Sequence, residues 1–222
     1  AFFPREELLT FEEINSVVAT FVELGVRKVR ITGGEPLLRK DLPDLLRLLA
    51  AKSLIRDLAL TTNGILLGGQ VAALRAAGLQ RITVSLDTLR ADRFCALTRV
   101  DALDAVQAGL VAAADGGFDS VKIDTVVIRG VNDDEITDIL EYGRHLDAEV
   151  RFIEYMDVGG ATHWSLADVV SRAEILNVIE QRYGAVVPLD EDSSAPADRF
   201  QLPDGTTFGI ISSTTMPFCG SC

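Results

Sequence analysis

Up to about residue 155, short runs of alternating apolar and polar residues recur, each followed by a longer stretch with apolar residues three or four apart. The first period suits strands and the second helices, so the order predicts repeated β/α units and a parallel sheet. Strands are expected at 28–32, 57–61, 81–87, 121–128 and 149–155, and helices at 10–24, 41–51, 68–77, 101–115 and 133–146. Thr10 and Glu13 have the spacing of a capping box, and Asn132 or Asp133 is suited to cap the last of these helices. Gly25, Gly78 and Gly117 fall just past helices, where a left-handed residue is least strained. After residue 156 the rhythm changes to a Gly-Gly loop at 159–160, a helix near 172–183, a Pro/Asp/Ser-rich segment at 188–198 and a strand near 206–213. A boundary near 157 separates the two patterns.

The alternation carries a chemical signal. In a closed β/α barrel one parity of each strand faces the helices and the other lines the interior, which branched apolar residues fill when it is merely structural. Here the apolar parity holds Val29, Ile31, Ile82, Val84, Leu86, Val121 and Ile123. The other parity holds Lys28, Arg30, Thr32, Arg81, Thr83, Ser85, Asp87, Lys122 and Asp124. Unpaired interior charge is costly, so either a ligand compensates it or the cations pair internally. Both arrangements stand open: an anion-binding cavity, or Lys28, Arg30, Lys122 and Arg151 paired with Asp87, Asp124 and Glu149. T-G-G-E-P at 32–36, T-T-N-G at 61–64 and S-L-D-T at 85–88 bring glycines, hydroxyls and amides to strand ends, on the face where barrel enzymes keep their chemistry.

Composition narrows the classes. A chain of 222 residues, 48% hydrophobic and 24% charged, can bury a core without disulfides and is neither disordered, collagen-like nor coiled coil. Carboxylates outnumber Lys plus Arg by 33 to 21, a formal charge of −12 that disfavours nucleic acid and anionic membrane as partners. No apolar run approaches the ~20 residues of a membrane span, and the start AFFPREELLT lacks signal-peptide regions, so a cytoplasmic location is expected. Cys95 stands alone and is expected half-buried, whereas Cys219 and Cys222 form a C-x-x-C that supplies two metal ligands.

Taken together, GGEP, TTNG, VSLDT, VKIDTVVIRGVND, RFIEYMDVG and the closing FCGSC resemble the GTP 3',8-cyclases of molybdenum cofactor biosynthesis, a family of radical S-adenosylmethionine enzymes. The resemblance implies an incomplete parallel (β/α)6 TIM-like barrel over 1–157, its first strand upstream of Ala1, with a C-terminal α+β extension over 158–222. It implies two 4Fe-4S clusters. One cleaves S-adenosylmethionine to a radical that removes the ribose 3' hydrogen of GTP; the other, held by C-terminal cysteines, binds GTP. Gly34, Ser85 and Met156 are thereby assigned to S-adenosylmethionine, with Glu35 and Pro36 shaping its amino-acid end. Arg30, Thr61 and Lys122 are assigned to GTP, Arg151 to catalysis, and Cys219 and Cys222 to the second cluster. An electron donor, a homodimer and transfer of the product to cyclic pyranopterin monophosphate synthase are further expectations of the resemblance.

Three departures qualify that picture. The C-x-x-x-C-x-x-C of the radical-generating cluster and a third cysteine for the second are not among these residues, so the segment alone is expected to be inactive. Asp124 stands where the family pattern has asparagine or another neutral polar residue. The sequence leaves open a radical enzyme acting on a peptide or another small molecule, and a clusterless binding module.

Overall fold

The computed structural model describes residues 7–158, 164–189 and 196–216. Its strands are β1 (Lys28–Ile31), β2 (Asp57–Thr62), β3 (Arg81–Ser85), β4 (Ser120–Val127), β5 (Glu149–Glu154), β6 (Val187–Leu189), β7 (Asp198–Gln201) and β8 (Thr207–Ile211). Its helices are α1 (Phe11–Glu23), α2 (Leu42–Ala50), α3 (Val71–Ala76), α4 (Ala91–Thr98), α5 (Leu103–Ala114), α6 (Ile136–His145) and α7 (Arg172–Tyr183). All eight strands belong to one sheet, in the order β1-β2-β3-β4-β5-β8-β7-β6. The first five neighbours are parallel, as helical crossovers require, and the sheet is unclosed. It is a partial TIM-like barrel.

The boundary near 157 does not divide the sheet. β8 lies parallel to β5, and β7 and β6 continue from it antiparallel. The C-terminal part therefore lengthens the wall that β1–β5 begin.

One hydrophobic core lies between this sheet and its helices. Leu58 and Leu60, Ile82 and Val84, Val121 and Ile123, and Val150 and Phe152 turn their side chains to Leu46 and Leu49 of α2, Leu74 of α3, Val106 and Leu110 of α5 and Ile139 of α6. These strand residues are the apolar parity of the alternation, so the polar parity must occupy the other face.

Thr10 and Glu13 form the expected capping box, and Gly25, Gly78 and Gly117 take positive φ. Other details differ from the sequence pattern. The stretch 91–98 forms α4, although it buries only Phe94 and has no side-chain N-cap. β6 and β7 fall at the two ends of the Pro/Asp/Ser-rich segment, where no strand was expected. Asn132 makes no capping bond; its Nδ2 donates to the carbonyls of Asp87 and Val126, and its Oδ1 accepts from Ile128 N, closing the loop after β4. Asp133 instead accepts from Gly130 N.

Candidate functional site

Strand register turns the polar parity into rows. Thr61, Thr83, Lys122 and Glu149 are successive partners across β2–β5. Two residues further along, Ser85, Asp124, Arg151, Gly209 and Arg199 form a second row across β3, β4, β5, β8 and β7. Neighbouring strands lie about 4.8 Å apart, so residues far apart in sequence become adjacent on the face away from the helices.

Arg30 reaches across two strands. Its Nη1 donates to Thr61 Oγ1 at 2.7 Å and to Thr83 Oγ1 at 3.1 Å, which holds the guanidinium over the sheet without an anionic hydrogen-bond partner. Lys122, 7% exposed, is bound differently. Its Nζ meets Glu149 Oε1 at 2.5 Å, and the same oxygen accepts from Arg151 Nε at 2.8 Å. Glu149 Oε2 lies 2.9 Å from Arg199 Nη2. Three cations converge on one carboxylate.

Internal pairing is thus realised for Lys122, Arg151 and Glu149, and Arg81 pairs with Asp57. It is not realised for Asp87, whose Oδ1 accepts from Val126 N at 2.8 Å, nor for Asp124, whose buried Oδ1 has no hydrogen-bond partner among the described residues. Burial pulls the Lys122 ammonium below its ordinary value and pushes the Asp124 and Asp87 carboxyls up. Burial also opposes ionisation of Glu149, but the hydrogen bonds and charges of Lys122 and Arg151 together outweigh it and hold its pKa low.

Gly209 makes room for this cluster. A Cβ there would lie 3.3 Å from Arg151 Cγ and from Ala197 Cβ, tighter than ordinary packing, so the missing side chain frees the path of the Arg151 stem.

Carboxylates fix the loops at the carboxyl ends of the strands. Glu35 accepts from Leu37 N, Thr62 Oγ1 and Asn63 N, tying the GGEP loop to TTNG. Gly64 closes that second loop at φ +80°, where a Cβ would meet Val84 Cγ1 at 2.8 Å. Glu135, 1% exposed, accepts from Thr88 Oγ1 and Leu89 N and pairs with Arg93, holding the loop after β3. Glu154, fully buried, accepts from Arg172 N, Thr214 N, Thr215 N and Thr215 Oγ1, which joins the end of β5 to α7 and to the turn before residue 217. Of these three acceptor sets, only Glu35 was singled out by the sequence, as part of GGEP; the bonds made by Glu135 and Glu154 were not legible, because each joins residues distant in sequence.

The positions assigned by resemblance fall into groups. Arg30, Thr61, Lys122 and Arg151 share the polar face, and Ser85 ends β3 in the same row as Arg151. A groove of about 490 Å³ runs between the glycine loop, at Arg30, Thr32, Gly33, Gly34 and Glu35, and apolar side chains of α1 and α2 such as Ile14, Leu42 and Leu45. A Cβ on Gly33 or Gly34 would meet nothing within 4 Å, so a ligand can approach that backbone. Met156 is 45% exposed and is not a core methionine. Cys95 is exposed rather than half-buried, because α4 turns only Phe94 inward. Cys219 and Cys222 lie outside the described residues. Among the described residues no group of three His, Cys, Asp or Glu could hold a metal ion. A larger cavity, about 690 Å³, opens at the opposite strand ends beside Asp119, Asp147 and Asp204, away from the glycine loops. No described helix is long and apolar enough to cross a membrane.

Comparison with known proteins places this geometry. The radical SAM superfamily model matches residues 1–143, and the Molybdenum Cofactor Synthesis C model matches 148–222. The chain is 56% identical over 223 residues to "GTP 3',8-cyclase 1" of Mycobacterium tuberculosis H37Rv, covering 99% of this chain and 62% of that relative. It is 44% identical over 222 residues to the GTP 3',8-cyclase of Aquifex aeolicus, covering 100% of this chain and 69% of that relative. The chain thus spans somewhat over three fifths of the first curated relatives it matches. Among solved structures, Streptococcus suis SuiB superposes with a TM-score of 0.66 at 20% identity, over 80% of this chain and 40% of that one; that likeness concerns the fold.

Proposed function

Since the chain belongs to the GTP 3',8-cyclase family of radical S-adenosylmethionine proteins, we propose that the whole protein converts GTP to (8S)-3',8-cyclo-7,8-dihydroguanosine 5'-triphosphate, a lyase-class step that opens molybdenum cofactor biosynthesis. The observation that carries this reading is the polar face of the sheet, where Lys122 shares a row with Thr61 and Thr83, Arg151 shares the next with Ser85, and Arg30 donates to Thr61 and Thr83. Guanidinium and ammonium groups are the donors that triphosphate oxygens prefer. Arg30, Thr61 and Lys122 bind GTP in this reading, and Arg151 acts at the reacting nucleotide. Gly34, Ser85 and Met156 bind S-adenosylmethionine; the open backbone of the glycine loop and the exposure of Met156 fit such a ligand.

The iron-sulfur clusters, when bound, supply the reducing electron and an iron site for substrate. Of their ligands this sequence holds Cys219 and Cys222, a C-x-x-C thiolate pair whose chemistry fits a 4Fe-4S cluster. What the described residues contribute is binding and orientation. Glu149 pairs with Lys122 and Arg151 and aligns them, and the carboxylates at the strand ends hold the loops in fixed relation. We retain the division into a barrel part, 1–157, and an extension, 158–222, that leads to the second cluster. An electron donor, a homodimer, a cytoplasmic location and delivery of the product to cyclic pyranopterin monophosphate synthase belong to the same proposal.

The test is anaerobic reconstitution of the full-length protein with iron, sulfide, S-adenosylmethionine, GTP and a reductant. Stoichiometric 5'-deoxyadenosine and cyclised nucleotide are expected. A fully loaded protein that yields neither overturns the reading.

A further inference from the structure

Asp124 is a residue on the polar face that the roles above do not use. Its Oδ1 is buried and unpartnered among the described residues, although cations surround it. Those cations are engaged elsewhere: Lys122 and Arg151 with Glu149, and Arg30 with Thr61 and Thr83. A buried acceptor left without a donor is destabilising, so its presence here points to a donor that arrives with a ligand.

GTP presents few donors. Its phosphate oxygens only accept near neutral pH and would be repelled by a carboxylate; the donors are the ribose hydroxyls and the N–H groups of the guanine edge. Register decides between them. Asp124 is the direct partner of Ser85 on one side and of Arg151 on the other, one strand spacing from each. Ser85 belongs to the S-adenosylmethionine side in the reading above, and the hydrogen removed there is on the ribose. In that reading the sugar is the part of the nucleotide brought nearest Ser85, and so nearest Asp124.

We propose that Asp124 is a substrate-orienting residue whose carboxylate accepts a hydrogen bond from a ribose hydroxyl of GTP. It rests on the GTP reading of this face and adds a residue to it. An oriented hydroxyl fixes the rotation of the ribose, and with it the direction in which the C3' hydrogen points. Asparagine retains an acceptor oxygen and can serve in the same way; alanine cannot.

Equilibrium binding of GTP, 2'-deoxy-GTP and 3'-deoxy-GTP to the full-length, cluster-loaded protein tests this without turnover. The unsubstituted protein and Asp124→Asn are expected to prefer GTP to one deoxy analogue by about tenfold. Asp124→Ala is expected to bind all three equally, with GTP about tenfold weaker than in the unsubstituted protein. Asp124→Leu, closer in volume, gives the same comparison should the alanine variant misfold. The proposal is overturned if the alanine or leucine variant keeps the preference, if it tightens on all three nucleotides alike through relief of charge repulsion, or if the unsubstituted protein shows no preference. Complete absence of GTP binding by the loaded, unsubstituted protein overturns the GTP reading as well.

Discussion

Glu149 illustrates how one side chain sets the state of its neighbours. Removing its charge leaves Lys122 buried and unpaired beside Arg151 and Arg199, an arrangement that costs about 3 kcal/mol or more in comparable buried pairs. Glu149→Gln should therefore lower the unfolding free energy by about that amount at pH 7, measured by urea denaturation. The folded pKa of Glu149 lies below its ordinary value, so its contribution is complete above that value and fades as pH falls through the lowered one. The gap between variant and unsubstituted protein should narrow below about pH 4. Asp124 has the opposite sign: its folded pKa is raised, so ionisation opposes folding once pH exceeds the unfolded value. Asp124→Asn should be neutral to stabilising at pH 7, with the difference vanishing in acid. A loss of stability for Asp124→Asn at pH 7 would show that its carboxylate has a structural partner.

Among elements, the end of β5 is tied both to α7 and to the turn at 214–215. Glu154 binds the first residue of α7 and the Thr214–Thr215 turn with one carboxylate, and Ser213 and Thr214 hydroxyls add bonds to the carbonyls of Glu154 and Tyr155. Glu154→Ala removes four accepted bonds from a fully buried site and should cost about 3 kcal/mol or more, seen as a lower denaturation midpoint. A midpoint within a few tenths of a kcal/mol of the parent would contradict the bonding described. The strands of this sheet were legible because their alternation is strict: β2 to β5 begin or end within a few residues of the expected bounds. α4 was not, since Arg90 offers no side-chain cap and a single buried phenylalanine gives no helical period. β6 and β7 are short edge strands, one containing proline, whose stability comes from partners that local sequence cannot name. The alternation foretold which face bears Arg30 and Lys122. It could not foretell that Glu149 holds Lys122 while Asp124 is left open, because that choice follows from register and rotamer.

For the whole molecule, the arrangement resolves an apparent contradiction of charge. The chain carries a formal −12, yet Lys28, Arg30, Arg81, Lys122 and Arg151 share one face of its sheet. An acidic exterior repels polyanions, while a cationic interior face attracts a small anion that can enter it. Continuation of the sheet through β8 and β7 brings Arg199 to the same cluster, so both family regions of the chain build one charged surface. The most direct test of this account is the GTP affinity of the full-length, cluster-loaded protein before and after Arg30→Ala, with the circular dichroism of both compared. Arg30 stabilises no buried carboxylate through a hydrogen bond, and its loss removes a charged donor, so affinity should fall about tenfold or more with the fold unchanged. Equal affinity in the two proteins would contradict the claim that this face grips the triphosphate.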